Sequence, residues 1–165
     1  MFKKFFVLSF FSISFLSFFI SFTTSTSKIN FIFPTKTKNI SSYYGYREIF
    51  GSISFHNGID FPLPHMTDVY ASMDGTISCV RFLNGYGNTV IISHENGYKT
   101  LYSHLDSNFF VKEGQIVHQG QLIAKIGPKY LENGKLNGYT TGPHLHFSIF
   151  SSDGNTLDPL SLLTD

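Results

Sequence analysis

The sequence predicts an all-β protein: a compact, mostly antiparallel sheet or barrel-sandwich domain, preceded by an N-terminal hydrophobic export or anchor segment. Three observations lead there. From Ser42 onward, short runs with β-branched content, such as Thr76-Ile77-Ser78-Cys79-Val80-Arg81-Phe82 and Val90-Ile91-Ile92-Ser93, are broken by Gly, Asn and Pro. Asn96-Gly97, set between Ile91-Ile92 and residues 98–102, is the strongest short-range hairpin signal in the chain. No stretch of helical period of useful length follows residue 27.

Taken in order, residues 1–4 are a short basic start, and residues 5–22 are apolar apart from serines at 9, 12, 14, 17 and 21. Residues 1–27 therefore read as a signal peptide or an uncleaved membrane anchor. The apolar run is longer than an ordinary signal core, and only Ser25-Thr26-Ser27 stands in for a small-residue cleavage site. An anchor with Lys3 and Lys4 inside is thus the alternative, binding the cytoplasmic membrane through residues 5–22. No cysteine follows the run, so no lipoprotein anchor is built there. Either way the remainder is expected to be exported, periplasmic or facing the cell wall. Residues 28–41 read as a linker or edge segment, and residues 42–162 as the folded domain. Gln115-Ile116-Val117 and Gln121-Leu122-Ile123-Ala124 each follow a glycine, and this Gly-Gln echo predicts two short strands at a barrel corner rather than a repeat architecture.

With 165 residues the chain suits one domain with a sizeable core. It carries 12 basic and 11 acidic residues, and loss of Lys3 and Lys4 with the leader would leave 10 against 11. That balance gives no electrostatic case for binding nucleic acid or for bulk attraction to an anionic polymer. Cys79 is the single cysteine, so no internal disulfide forms, and a small thiol buried in a strand is the expected role.

The chemistry concentrates in three segments. His56-Asn57-Gly58-Ile59-Asp60 puts an imidazole and a carboxylate four residues apart, both common zinc donors. A straight strand would hold them roughly 13 Å apart, too far for one ion. The chain has to bend between them, and Asn57-Gly58 is where it can. In Gly142-Pro143-His144-Leu145-His146-Phe147, two histidines at i and i+2 share a strand face, with Leu145 and Phe147 on the buried one. In Thr100-Leu101-Tyr102-Ser103-His104-Leu105, strict alternation puts Thr100, Tyr102 and His104 on one face and Leu101 and Leu105 on the other. Three segments that each offer donors opposite their hydrophobic residues suggest one shared site.

The H-x-G-x-D of residues 56–60, Tyr102-Ser103-His104-Leu105 and G-P-H-L-H-F of residues 142–147, in that order, resemble the LytM/lysostaphin-type zinc metallopeptidases of the M23 family. The likeness takes in Gly45-Tyr46-Arg47, residues 71–76, Gly85-Tyr86-Gly87-Asn88 and Asp158-Pro159, and so covers roughly residues 42–160. It implies one zinc ion held by His56, Asp60 and His146, with His104 and His144 as catalytic histidines. Three protein ligands would leave a fourth tetrahedral position open, as a catalytic zinc needs. No glutamate stands in the constellation, so histidine is the only candidate base, and either His104 or His144 could serve. The implied function is an endopeptidase that cuts peptide cross-links or stem peptides of bacterial peptidoglycan. The alternative is a non-catalytic M23-like scaffold that activates another wall hydrolase; a regulatory protein partner is left open. Arg47 is expected to pair with a carboxylate of substrate or protein, or to be an ordinary surface arginine. His65, His94 and His118 are expected outside the site, and residues 129–138 form a polar wall of the cleft or a plain loop. Ser148 departs from the many relatives with Glu just after H-L-H-F.

Overall fold

The structure, a computed structural model, describes residues 29–49 and 51–164. The expected export or anchor segment lies outside the described residues. Thirteen strands follow in chain order: β1 (Phe31–Ile32), β2 (Gly45–Ile49), β3 (Ser52–His56), β4 (Ile59–Phe61), β5 (Asp68–Tyr70), β6 (Gly75–Leu83), β7 (Gly87–Ser93), β8 (Lys99–Ser103), β9 (Ile116–Val117), β10 (Leu122–Lys125), β11 (Leu145–Phe150), β12 (Thr156–Leu157) and β13 (Leu163–Thr164). The only helical pieces among the described residues are two single 3-10 turns, Glu95–Gly97 and Pro159–Ser161. The described residues are therefore all-β, and every pairing among them except the parallel β1–β13 is antiparallel.

The main sheet runs β12-β11-β8-β7-β6-β9, with β4 also on β11. β11 is its hub. One edge of β11 pairs with β8, while the other pairs with β4 along Leu145–Phe147 and with β12 at Ile149 and Phe150. The expected hairpin joins β7 to β8 through the Glu95–Gly97 turn, where Asn96 and Gly97 take φ of 59° and 79°. Asn and Gly tolerate that left-handed region, which is why this pair can reverse the chain here. The Gly-Gln echo also has a physical basis. Gln115 folds its Oε1 back to accept from Lys112 N, and Gln121 does the same for His118 N. Each turn then feeds a short strand, β9 or β10.

The core lies on the face of β11 that carries Leu145, Phe147 and Ile149. It continues through Val90 and Ile92 of β7, Tyr102 of β8 and Val69, Ile123 and Ala124 from the β5–β10 pair. Each fully buried side chain of this size contributes roughly 1.5–3 kcal/mol. Tyr102 is wholly buried and keeps its hydroxyl satisfied by accepting from Ser72 N at 2.8 Å and Thr100 Oγ1 at 3.0 Å. Thr100 in turn meets His94 Nε2 at 2.7 Å.

One expectation changes here. Strict alternation along residues 100–105 fails, because Tyr102 and Leu105 both enter the core while His104 does not follow Tyr102. The reason is local: β8 ends at Ser103, and His104 sits at φ 59°, a left-handed conformation that turns its side chain to the other face. The stretch expected as linker or edge segment is docked over residues 29–35. Phe31 is fully buried, β1 pairs with β13, and Ile32 N donates to Ser72 O at 2.9 Å. Cys79 is buried in β6 as expected, and burial pushes its thiol up.

Candidate active site

The site is assembled at the N-terminal half of β11. His56 closes β3, Asp60 is the middle residue of β4, and His146 is the second residue of β11. The β4–β11 register puts Asp60 directly opposite His146, and the bend at Asn57-Gly58 brings His56 back over the same point. His56 Nε2 and His146 Nδ1 stand 2.9 Å apart, His146 Nδ1 and Asp60 Oδ1 3.0 Å, and His56 Nε2 and Asp60 Oδ1 3.1 Å. Three donor atoms thus converge on one point and could hold a metal ion.

Gly58 makes the approach possible, though not by an unusual φ. A Cβ there would stand 2.3 Å from the Phe147 carbonyl oxygen, 2.6 Å from Ser148 Oγ and 2.9 Å from His146 Cε1. Only a residue without a side chain lets β4 lie this close to β11.

Each donor is braced from behind. His56 Nδ1–H donates to Tyr43 O at 2.9 Å, which leaves Nε2 bare. Arg47 Nη1 lies 3.4 Å from Asp60 Oδ2 and donates to Ser42 Oγ. The expected carboxylate partner of Arg47 is thus the protein's own Asp60. His146 Nε2 meets Ser148 Oγ at 2.9 Å. Burial opposes the charge on Asp60, yet hydrogen bonds with His146 and His56 outweigh it and hold the carboxyl well below its usual range. Burial also pushes the His146 ring down, towards the neutral form in which imidazole binds a metal.

His104 and His144 stand beside this cluster with ring centroids 4.5 Å apart. His104 Nδ1–H donates to Asn137 O at 2.7 Å, and His144 Nδ1–H donates to Gly142 O at 2.9 Å. Both therefore keep Nε2 bare, and His144 Nε2 lies 3.9 Å from Asp60 Oδ1. Burial, then the neighbouring His144, pushes His104 down to about 4. All five residues anticipated from the sequence are brought together. The other histidines lie elsewhere: His65 pairs with Asp106, His118 with Asp74, and His94 is held between Thr100 and the Asp74 carbonyl.

Sequence reasoning missed two residues that shape the site. Asn137 is fully buried; it accepts from Asn88 N at 2.9 Å, donates to Leu105 O at 2.9 Å, and offers its own carbonyl to His104. Its setting in a Gly/Asn-rich stretch gave it the look of a solvated loop residue. Tyr86 packs its ring 5.7 Å from that of His146, and its hydroxyl accepts from Asn57 Nδ2. The spacing Gly85-Tyr86-Gly87 was the available signal.

An all-β domain with a His-Asp-His donor cluster and two further histidines at its edge defines a metallopeptidase-like centre. The chain belongs to peptidase family M23, whose family model matches residues 54–159. It is 40% identical over 131 residues to the DD-carboxypeptidase/endopeptidase Mpg of Neisseria meningitidis, covering 78% of this chain and 28% of that protein. The chain thus spans well under half the length of that relative. A zinc-containing peptidase from Vibrio cholerae superposes with a TM-score of 0.67 at 33% identity, covering 82% of this chain and 40% of that one. The catalytic domain of lysostaphin from Staphylococcus simulans superposes with a TM-score of 0.63 at 30% identity, covering 74% and 90%.

Proposed function

We propose that this protein is a zinc-dependent endopeptidase acting on peptide cross-links or stem peptides of bacterial peptidoglycan, outside the cytoplasmic membrane. The observation that carries the reading is the convergence of His56, Asp60 and His146 on one point, with His104 and His144 presenting bare Nε2 atoms beside it. The donor set fits zinc. Two ligands about 2.0–2.1 Å from one tetrahedral ion lie about 3.3 Å apart, and the three donors are 2.9–3.1 Å apart. The names of the Neisseria and Vibrio relatives support the same chemistry.

When bound, zinc supplies Lewis acidity towards a scissile carbonyl and towards water. The chain supplies the rest. His56, Asp60 and His146 hold their donor atoms in place through partners on their far sides. His104, neutral near pH 7, begins as a proton acceptor at Nε2. His144 offers a second Nε2 to the same space, so one ring takes a proton from the attacking water while the other is placed to serve the leaving amine or the developing oxyanion. The non-catalytic scaffold alternative would leave these five side chains without a task.

Digestion of purified peptidoglycan, read by mass spectrometry, tests the proposal. The protein is expected to release new peptide termini, to stop when a chelator is added, and to recover when zinc is restored. A zinc-saturated protein that releases none would favour the scaffold reading.

A further inference from the structure

Residues 129–137 form a small hairpin: Asn137 N donates to Lys129 O at 3.0 Å, Leu131 N donates to Lys135 O at 2.9 Å, and Tyr130 bridges to Leu136. Its base is tied to the candidate site from two sides. The Asn137 carbonyl accepts from His104 Nδ1, and Gly127 N, two residues before the hairpin, donates to His104 O at 2.9 Å. Lys129 is therefore joined to His104 through the single residue Asn137. It is half-buried, and its Nζ lies 5.2 Å from the centre of the exposed Tyr130 ring. Arg47, the other basic group at the site, is taken up by Asp60, whereas Lys129 forms no ion pair among the described residues. An ammonium partly covered in this way is screened less by water and salt than a free surface lysine, and it is left to attract an anion from outside the protein.

We propose that Lys129 is a specificity-determining residue that binds a carboxylate of the substrate, so that the site takes stem peptides with free carboxyl groups in preference to their amidated forms. This rests on the peptidoglycan reading above, since stem peptides carry such carboxylates. An ammonium offers three donors and a point charge, so it accepts a carboxylate in several orientations. An amide in the same place keeps a carbonyl oxygen to accept a hydrogen bond but has no charge, and the contact is weaker. The Tyr130 ring beside the ammonium adds apolar surface for the aliphatic part of the peptide.

The test uses the full chain with zinc added and a fluorescent probe made of two cross-linked stem peptides, whose cross-linking amide is replaced by a ketomethylene that cannot be hydrolysed. The probe is made in two forms, carboxylates free or amidated, and binding is followed by fluorescence anisotropy. The wild type is expected to bind the free-acid form about 5–10-fold more tightly, the size of a partly exposed charge pair, and the preference should shrink as salt is raised. Lys129→Met should bring the ratio of the two affinities close to one, and Lys129→Arg, which keeps the charge, should recover most of it. Lys135→Met removes an equal charge from the far arm of the hairpin and should leave the ratio as it is. A lysine that only shaped the hairpin would shift the melting temperature and both affinities alike. The proposal fails if Lys129→Met keeps the preference, or if Lys135→Met abolishes it as fully. A wild-type ratio near one overturns it whether or not Lys129→Met folds, and does so alone if the same protein cuts peptidoglycan. A protein that prefers the free-acid probe yet releases no peptide from peptidoglycan upholds the carboxylate site and overturns the enzyme reading.

Discussion

Gly58 has no side chain because three atoms of β11 already occupy the place where one would go. The sequence suggests a hinge at this position, and the structure shows a close approach. Even Gly58→Ala would push a Cβ against the Phe147 carbonyl, where a backbone atom cannot swing aside. Overpacking of this kind costs about 1–3 kcal/mol, and here it would also displace the strand that carries His146. Gly58→Ala is therefore expected to purify with markedly less zinc than the wild type, measured by metal analysis; full zinc content would contradict this. Asn137 makes a different case. Removing its amide leaves the Leu105 carbonyl and the Asn88 N–H without partners in a buried place, at a cost of about 2 kcal/mol or more. Asn137→Ala should melt lower and lose activity through a misplaced His104 while keeping its zinc. Nothing in the residue type announced this role, because a buried Asn in a Gly/Asn-rich stretch reads like any turn residue.

At the scale of elements, the two faces of β11 were legible in its sequence pattern, whereas its pairing with β4 was not. His144 and His146 alternate with Leu145 and Phe147, and strand geometry turns that period into two faces. β8 was legible only up to Ser103. Alternation placed His104 with Tyr102, and a single left-handed residue at the strand end undid it. Such a conformation at a histidine has no signature in composition or period. β1 was hidden for another reason: its two residues pair with β13, at the far end of the sequence, and no local pattern encodes a contact that distant. The pairing carries weight, since Phe31 is wholly buried and packs edge-on to His94 at 5.4 Å. Phe31→Ala should destabilise the protein by about 3–5 kcal/mol in denaturant unfolding, while an unchanged midpoint would mean that β1 is only laid on the surface.

For the molecule as a whole, the all-β class followed from short β-branched runs and turn residues, while the donor set was what the resemblance to the M23 family implied for three separated motifs. Whole-molecule charge behaviour follows from buried histidines. Burial lowers His94, His104 and His146 below their ordinary value of 6.5. Between that value and the lowered ones the unfolded chain binds more protons than the folded one, so stability rises with pH. The metal-free protein should accordingly melt lower at pH 5 than at pH 7, with the loss continuing towards the His104 value of about 4. A melting temperature that rose on acidification would reverse the sign. The central claim is a division of labour in which His56, Asp60 and His146 hold zinc while His104 works on the substrate. It is tested most directly by following peptide release from purified peptidoglycan by His104→Ala, with zinc content determined on the same sample. The predicted result is a full complement of zinc with peptide release reduced by about 100-fold or more, the scale of a lost general acid or base. Release at the wild-type rate by the zinc-loaded variant would contradict it.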